Sequence, residues 1–318
     1  MRISKFCKNI AIFSGSMLIA SAGYSSPTEP GNPSVIIPIR LHEERMFAEV
    51  NTSIGHLIML IDTGSETTHI YNSAFKGKEI SIHRKKTEMI GMGGAEKSYS
   101  SGSVPLEITF PALDSFHTRA FIDNFITDSG SFQYDGILGL DFFAAYCVAL
   151  DAQNGRMEVQ SKDKCVGEPS NSYTVPVQWT RQAILIPLRM KFGSTQKVIS
   201  TTAILDTGAE TSVMLPNQFR ADAGLSRDPG TAAYVKATGV NGTVDGDLVD
   251  GVMTRMKGSP LTFTGKVVVA RDRMRPHTSF LAGKALRTQT LLGAAFVKLV
   301  KLKFDPAHDC LYVYKPAN

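Results

Sequence analysis

The chain has 318 residues, 43% of them hydrophobic and 20% charged, with a formal net charge of +5. That length accommodates two modest domains with cores of their own, and the composition argues against a disordered chain. Its seven histidines form no HExxH motif, and it has no P-loop, dinucleotide fingerprint or Gly-x-Ser-x-Gly elbow, which sets aside the zinc proteases, nucleotide-binding enzymes and serine hydrolases those motifs mark.

Residues 1–22 read as a signal peptide. Arg2, Lys5 and Lys8 give a basic start, an apolar stretch runs from Ile10 to Ala20, and Ala20-Ser21-Ala22 offers small residues for cleavage before Gly23. The apolar stretch is short for a membrane span, so an exported chain with no span after cleavage is expected, periplasmic or secreted. Cleavage removes three basic residues and no acidic ones, leaving a chain near neutrality with no reason to bind nucleic acid. The basic run His83-Arg84-Lys85-Lys86 is short and reads as a solvated loop or strand edge. Residues 23–33 form a short leader rich in Pro, Gly and Ser.

From residue 34 onward the chain repeats itself once. Ile36-Ile37-Pro38-Ile39-Arg40-Leu41 opens the first copy, and Leu185-Ile186-Pro187-Leu188-Arg189-Met190 opens the second. Then come Leu60-Ile61-Asp62-Thr63-Gly64-Ser65 and Ile204-Leu205-Asp206-Thr207-Gly208-Ala209. Glycine-rich turns follow at Gly91-Met92-Gly93-Gly94 and Gly239-Val240-Asn241-Gly242, and then the apolar pairs with glycine, Ile137-Leu138-Gly139 and Leu291-Leu292-Gly293. Each copy ends in a candidate hairpin, turning near Asn154-Gly155 and near Pro306-Ala307-His308-Asp309.

Short alternating or β-branched runs predict strands over 34–41, 46–50, 56–61, 104–110, 148–152 and 157–160, and again over 183–191, 197–205, 261–270, 297–304 and 311–314. Helical periodicity is scarce, with short helices expected over 140–145, 216–223 and 294–297. The pattern predicts an all-β chain of two similar barrel-like lobes, 34–161 and 173–318, joined by a polar linker over 162–172. Cys7 leaves with the signal, so one disulfide is available among Cys147, Cys165 and Cys310. Cys147–Cys165, Cys165–Cys310 and three buried thiols all remain open.

Asp-Thr-Gly followed by Ser or Ala and preceded by apolar residues, with a later apolar pair and glycine, resembles the catalytic turn and its packing partner in the aspartic proteases. The glycine-rich Ile90-Gly91-Met92-Gly93-Gly94 is similar to the flap of the retroviral type. One Asp-Thr-Gly recurs by chance, whereas two, each with its own partner motif, are specific. The resemblance implies a bilobal acid-protease fold with a cleft between the lobes, and an endopeptidase whose dyad, Asp62 and Asp206, activates water without a covalent intermediate. It further implies a single chain acting as a monomer on protein or peptide substrates, with no cofactor and no metal. Thr63, Gly64, Ser65, Thr207, Gly208 and Ala209 would support the two turns, with the threonine hydroxyls locking one to the other. Gly91, Met92, Gly93, Gly94 and Tyr99 would form a flap over substrate, within 89–100, and 237–247 is a second flap candidate.

Two carboxyls held together cannot both ionise easily, so they share a proton and divide the roles of base and acid. Because Ser65 can donate a hydrogen bond and Ala209 cannot, Asp62 is expected to carry more of the negative charge and Asp206 more of the proton. The acidic stretch Asp245-Gly246-Asp247…Asp250-Gly251 lacks the closing glutamate of a calcium loop and reads as a solvated turn. A catalytically silent peptide-binding module on the same scaffold is the competing reading, though a binder has no need of both carboxylates.

Overall fold

The computed structural model describes residues 33–76, 82–83, 87–89, 98–123, 132–165, 169–225, 233–239, 242–271, 277–281, 284–288 and 290–315. Residues 1–22, the expected signal peptide, and nearly all of the expected leader lie outside these residues. Pro33–Asn318 forms one compact unit.

Six strands close the first barrel: β1 (Arg45–Thr52), β2 (Gly55–Ile61), β3 (His69–Tyr71), β4 (Gly102–Thr109), β5 (Phe116–Asp123) and β6 (Gly136–Leu138). They pair in the order β1-β2-β6-β3-β5-β4, and β4 returns to β1 through Asn51 and Thr52. The second barrel uses β7 (Ile184–Lys191), β8 (Val198–Asp206), β9 (Val213–Leu215), β10 (Gly242–Met256), β11 (Phe263–Ala270) and β12 (Thr290–Gly293). Its order is β7-β8-β12-β9-β11-β10, closed by β10 on β7. Each strand of one barrel has its counterpart six numbers later in the other. Pair directions match too: β2–β6 and β8–β12 are parallel, as are β3–β5 and β9–β11.

Alternation along the strands builds the cores. In β1, Met46, Ala48 and Val50 are buried in the main core, while Phe47 points to the other face. There Phe47 packs with Leu60, Tyr71, Tyr134 and Ile137 in a separate, largely aromatic cluster. Its counterpart in the second lobe is aliphatic, built from Leu185, Ile204, Met214 and Leu291 with their neighbours.

The terminal hairpins do more than finish their own lobes. Tyr146–Asp151 pairs with Arg156–Ser161, Lys301–Asp305 pairs with Cys310–Tyr314, and the two hairpins then pair with each other through Val148↔Phe304 to Asp151↔Lys301. Ser34–His42 and Ser172–Pro176 complete the edges, giving six strands, three from each half. Phe143 and Phe304, 5.0 Å apart at their centroids, carry the core across this shared sheet.

α1 (Leu140–Ala145) and α2 (Ala294–Val297) occupy the expected positions, each after the glycine of its apolar motif. The helix expected over 216–223 is instead a 3₁₀ turn at Asn217–Phe219 followed by turns that end at Gly224, whose φ is +75°. The left-handed Gly224 stops the chain soon after that turn. The strand expected over 297–304 begins only at Lys301, because α2 takes the residues before it. The stretch read as a solvated acidic turn lies inside β10, and Asp247 is fully buried, paired with Arg220 and Arg271. Two arginines from neighbouring segments, distant in sequence, make that burial tolerable. Of the cysteine alternatives, Cys147 and Cys165 form the disulfide and Cys310 is a buried thiol. Among the described residues no helix is long and apolar enough to cross a membrane.

Candidate active site

Asp62 follows β2 directly and Asp206 ends β8, so each apolar central strand delivers one carboxyl to the boundary between the barrels. The adjoining turns interlock. The amide of Thr63 donates to Thr207 Oγ1 at 3.0 Å, and the amide of Thr207 donates to Thr63 Oγ1 at 3.2 Å. Each hydroxyl in turn donates to a backbone carbonyl of the other lobe, Thr63 to Leu205 at 2.7 Å and Thr207 to Ile61 at 2.8 Å. Both threonines are fully buried, so the four bonds form where unpaired groups would be costly.

The glycines explain how the carboxyls meet. A Cβ on Gly64 would stand 2.5 Å from Asp206 Cγ, and one on Gly208 would stand 2.4 Å from Asp62 Cγ. Each carboxyl therefore lies over the bare backbone of the opposite turn, and any side chain there would expel it. The amide of Gly64 donates to Asp62 Oδ1 at 2.8 Å. The amides of Gly208 and Ala209 donate to Asp206 Oδ1 at 3.1 and 3.0 Å. The two carboxyls lie close enough for each to bear on the ionisation of the other.

Burial raises both carboxyls above their ordinary range. For Asp62 the amide of Gly64, the hydrogen bond from Asp206, the positive field of His69 and the amide of Ser65 oppose that rise. For Asp206, repulsion from Asp62 and the bond to it add to burial and push the group well up, against the amides of Ala209 and Gly208. Two carboxyls so close cannot both ionise easily, so the pair is built to hold one proton between them. The donor expected to favour charge on Asp62 is corrected. The hydroxyl of Ser65 donates to the backbone oxygen of Thr67 at 2.8 Å, because the turn bends that carbonyl toward it.

Gly139 and Gly293 press against these turns from behind. A Cβ on Gly139 would lie 2.3 Å from the oxygen of Thr67, and one on Gly293 would lie 2.1 Å from that of Thr211. The first amide of each short helix then donates back to the turn, Leu140 to Ser65 and Ala294 to Ala209, both at 2.8 Å. Two ion pairs cross between lobes at matching places, four residues after each aspartate: Glu66 with Arg181 and Glu210 with Arg45, both at 3.1 Å.

The glycines Gly91, Gly93 and Gly94, with Met92, lie outside the described residues. Thr87–Met89 and Ser98–Ser100 flank them as an antiparallel pair in which Tyr99 sits opposite Glu88. In the second lobe β10 pairs with Ala233–Gly239 as a hairpin, Gly239 opposite Gly242. Sequence reasoning passed over His69, at the start of β3, whose ring lies between Asp123 and Thr67. Only its distance from the first aspartate, repeated against an apolar residue in the second copy, could have singled it out. Among the described residues no cluster of side chains is arranged to hold a metal ion.

No family model matches the chain, and no curated protein matches it in sequence. Solved structures do. The aspartic proteinase from Irpex lacteus superposes with a TM-score of 0.57 at 14% identity, covering 90% of this chain and 98% of that one. Basic 7S globulin from soybean superposes with a TM-score of 0.53 at 10% identity, covering 90% and 96%. The chain has the two-barrel fold of the pepsin-like aspartic proteinases, with one Asp-Thr-Gly turn contributed by each barrel.

Proposed function

We propose that the chain is an aspartic endopeptidase. One observation carries the reading: two half-buried aspartates from equivalent turns face each other, each lying over the glycine of the opposite turn. A water held between them would lose a proton to Asp62 as it attacks a peptide carbonyl, while Asp206 gives its proton to the carbonyl oxygen. The resulting tetrahedral diol collapses when the proton held by Asp62 passes to the leaving amine and one diol hydroxyl returns its proton to Asp206, so the C–N bond breaks, both carboxyls regain their starting states and no covalent bond to substrate forms. Amides of the two turns hold the carboxyls while charge moves between them.

Substrate is a protein or peptide lying extended between the lobes, bonded through its backbone as an added strand. Both carboxyls come from one chain, so the enzyme works as a monomer. The basic start and apolar run of residues 1–22 support export to a periplasm or beyond the cell. Hydrolysis of a peptide library by the wild type, compared with Asp62→Asn and Asp206→Asn, tests the proposal. Cleavage abolished in both variants and blocked by pepstatin is expected. Peptide binding without cleavage by the wild type would overturn it in favour of a silent binding module, a role open to any chain of this fold.

A further inference from the structure

Two turns related by a pseudo-twofold should hold two equivalent carboxyls, and the reciprocal threonine and glycine contacts are nearly symmetric. One buried feature is not. In the first lobe His69 Nδ1 lies 2.9 Å from Asp123 Oδ2, and its Nε2 lies 3.1 Å from Thr67 Oγ1. Both side chains of the pair are largely buried, at 12% and 5% exposure. In the second lobe the equivalent strand is Val213-Met214-Leu215, wholly apolar, and the equivalent threonine hydroxyl, Thr211 Oγ1, is buried without a hydrogen bond among the described residues. One lobe thus carries an imidazole–carboxylate pair behind its catalytic turn and the other carries hydrocarbon.

The connection to Asp62 is short. Thr67, which touches the ring, also accepts the hydroxyl of Ser65, whose amide donates to the carbonyl of Asp62 at 3.3 Å. Asp123 is a buried carboxylate whose other oxygen, Oδ1, finds no hydrogen bond among the described residues. Burying a carboxylate is costly without a partner, and the imidazole 2.9 Å away is placed to be one. Among the described residues the groups around the ring are few. β5 presents Asp123 and the ring of Phe121 at 5.8 Å, and β6 presents Ile137. Tyr71, two residues along β3, feels the charges of both Asp123 and Asp62. Asp141 on α1 is occupied by Thr68 and Thr118.

We propose that the His69–Asp123 ion pair is a positioning element that breaks the symmetry of the dyad, keeping negative charge on Asp62 and the shared proton on Asp206. This rests on the aspartic-protease reading for its use, though not for its electrostatics. The field of His69 on Asp62 runs in the required direction.

Carboxyl-carbon NMR titration of aspartate-labelled protein tests it without a substrate. In His69→Gln, and equally in Asp123→Asn, the lower of the two dyad steps should rise by about half to one pH unit, and the double variant should shift no further. The acidic limb of kcat/KM should move by the same amount. A folded His69→Gln protein whose lower step stays in place overturns the proposal, since a merely structural role would lower thermal stability and leave the titration alone. Should both variants fail to fold, nitrogen NMR of the wild-type imidazole decides: the ring must be protonated while the lower step titrates, and a neutral ring overturns the proposal. A wild type that cleaves no peptide but shows the shift would refute the protease reading and leave this one standing.

Discussion

Thr63 and Thr207 hold each other by the same two atoms in opposite directions, each amide giving to the other's hydroxyl. The two turns therefore cannot move apart without breaking four buried hydrogen bonds at once. Thr63→Val keeps the shape but removes one donor and one acceptor. The expected cost is about 2–4 kcal/mol, from unpaired groups at the Leu205 carbonyl and the Thr207 amide. Thr63→Ser retains the hydroxyl and should cost well under half of that. Thermal melts of the two variants beside the wild type check the ranking.

Gly64→Ala and Gly208→Ala place a methyl against the opposite carboxyl, closer than carbon atoms approach without displacement. Each should lower kcat/KM at least 100-fold, because about an ångström of misplacement at a reacting group is enough for that loss. The damage is local, so far-ultraviolet circular dichroism should match the wild type. Retained activity in either variant would mean that the carboxyls do not lie over these glycines.

The dyad should also govern how stability varies with pH. Both carboxyls are raised in the folded chain, so folding takes up protons above the ordinary carboxylate range. Below that range the folded and unfolded states are equally protonated. As pH rises from there through the folded values, the folded state comes to hold more protons than the unfolded one, and stability is lost. Asp206→Asn removes one of the two raised carboxyls and the repulsion on the other, and should be more stable than the wild type at neutral pH, with the difference shrinking toward pH 4. Melts across pH 4–8 measure it, and a constant difference between the two proteins would contradict the assigned shifts.

Cys147 opens the central hairpin strand of the first half, and Cys165 follows the 3₁₀ turn leading out of its partner strand. Their bond closes a loop with a sequence separation of 18 residues. Cys165→Ser should cost about 2–4 kcal/mol, chiefly by releasing the unfolded chain. A reductant should lower the melting temperature of the wild type and leave that of Cys165→Ser unchanged.

Sequence carried the duplication, both aspartates, the motifs behind them and two helices to the residue, because each depends on contacts that a short motif encodes. Gly139 and Gly293 are legible for the same reason, since each packs on a turn that its own copy supplies. The three-residue strands β3, β6 and β9 left no pattern long enough to read. β10, with its aspartates and glycines, looked like a turn because the arginines that neutralise Asp247 come from 27 residues before it and 24 after it. His69 was missed on the same ground: its partner Asp123 lies 54 residues away. The pairing of the two terminal hairpins across the halves is likewise a property of tertiary assembly, with no local signature.

That shared six-stranded sheet sets the order in which a nascent chain can finish. When the first barrel has been made, the edge of Tyr146–Asp151 stands open, and the strand that fits it, Lys301–Asp305, comes some 150 residues later. Until then the exposed edge is a template for any strand of similar shape, and the best imitation is the same edge on another newborn copy. Crowded synthesis would therefore favour pairing between unfinished molecules, and a holding factor in the cell that masks this edge would raise the yield of complete protein.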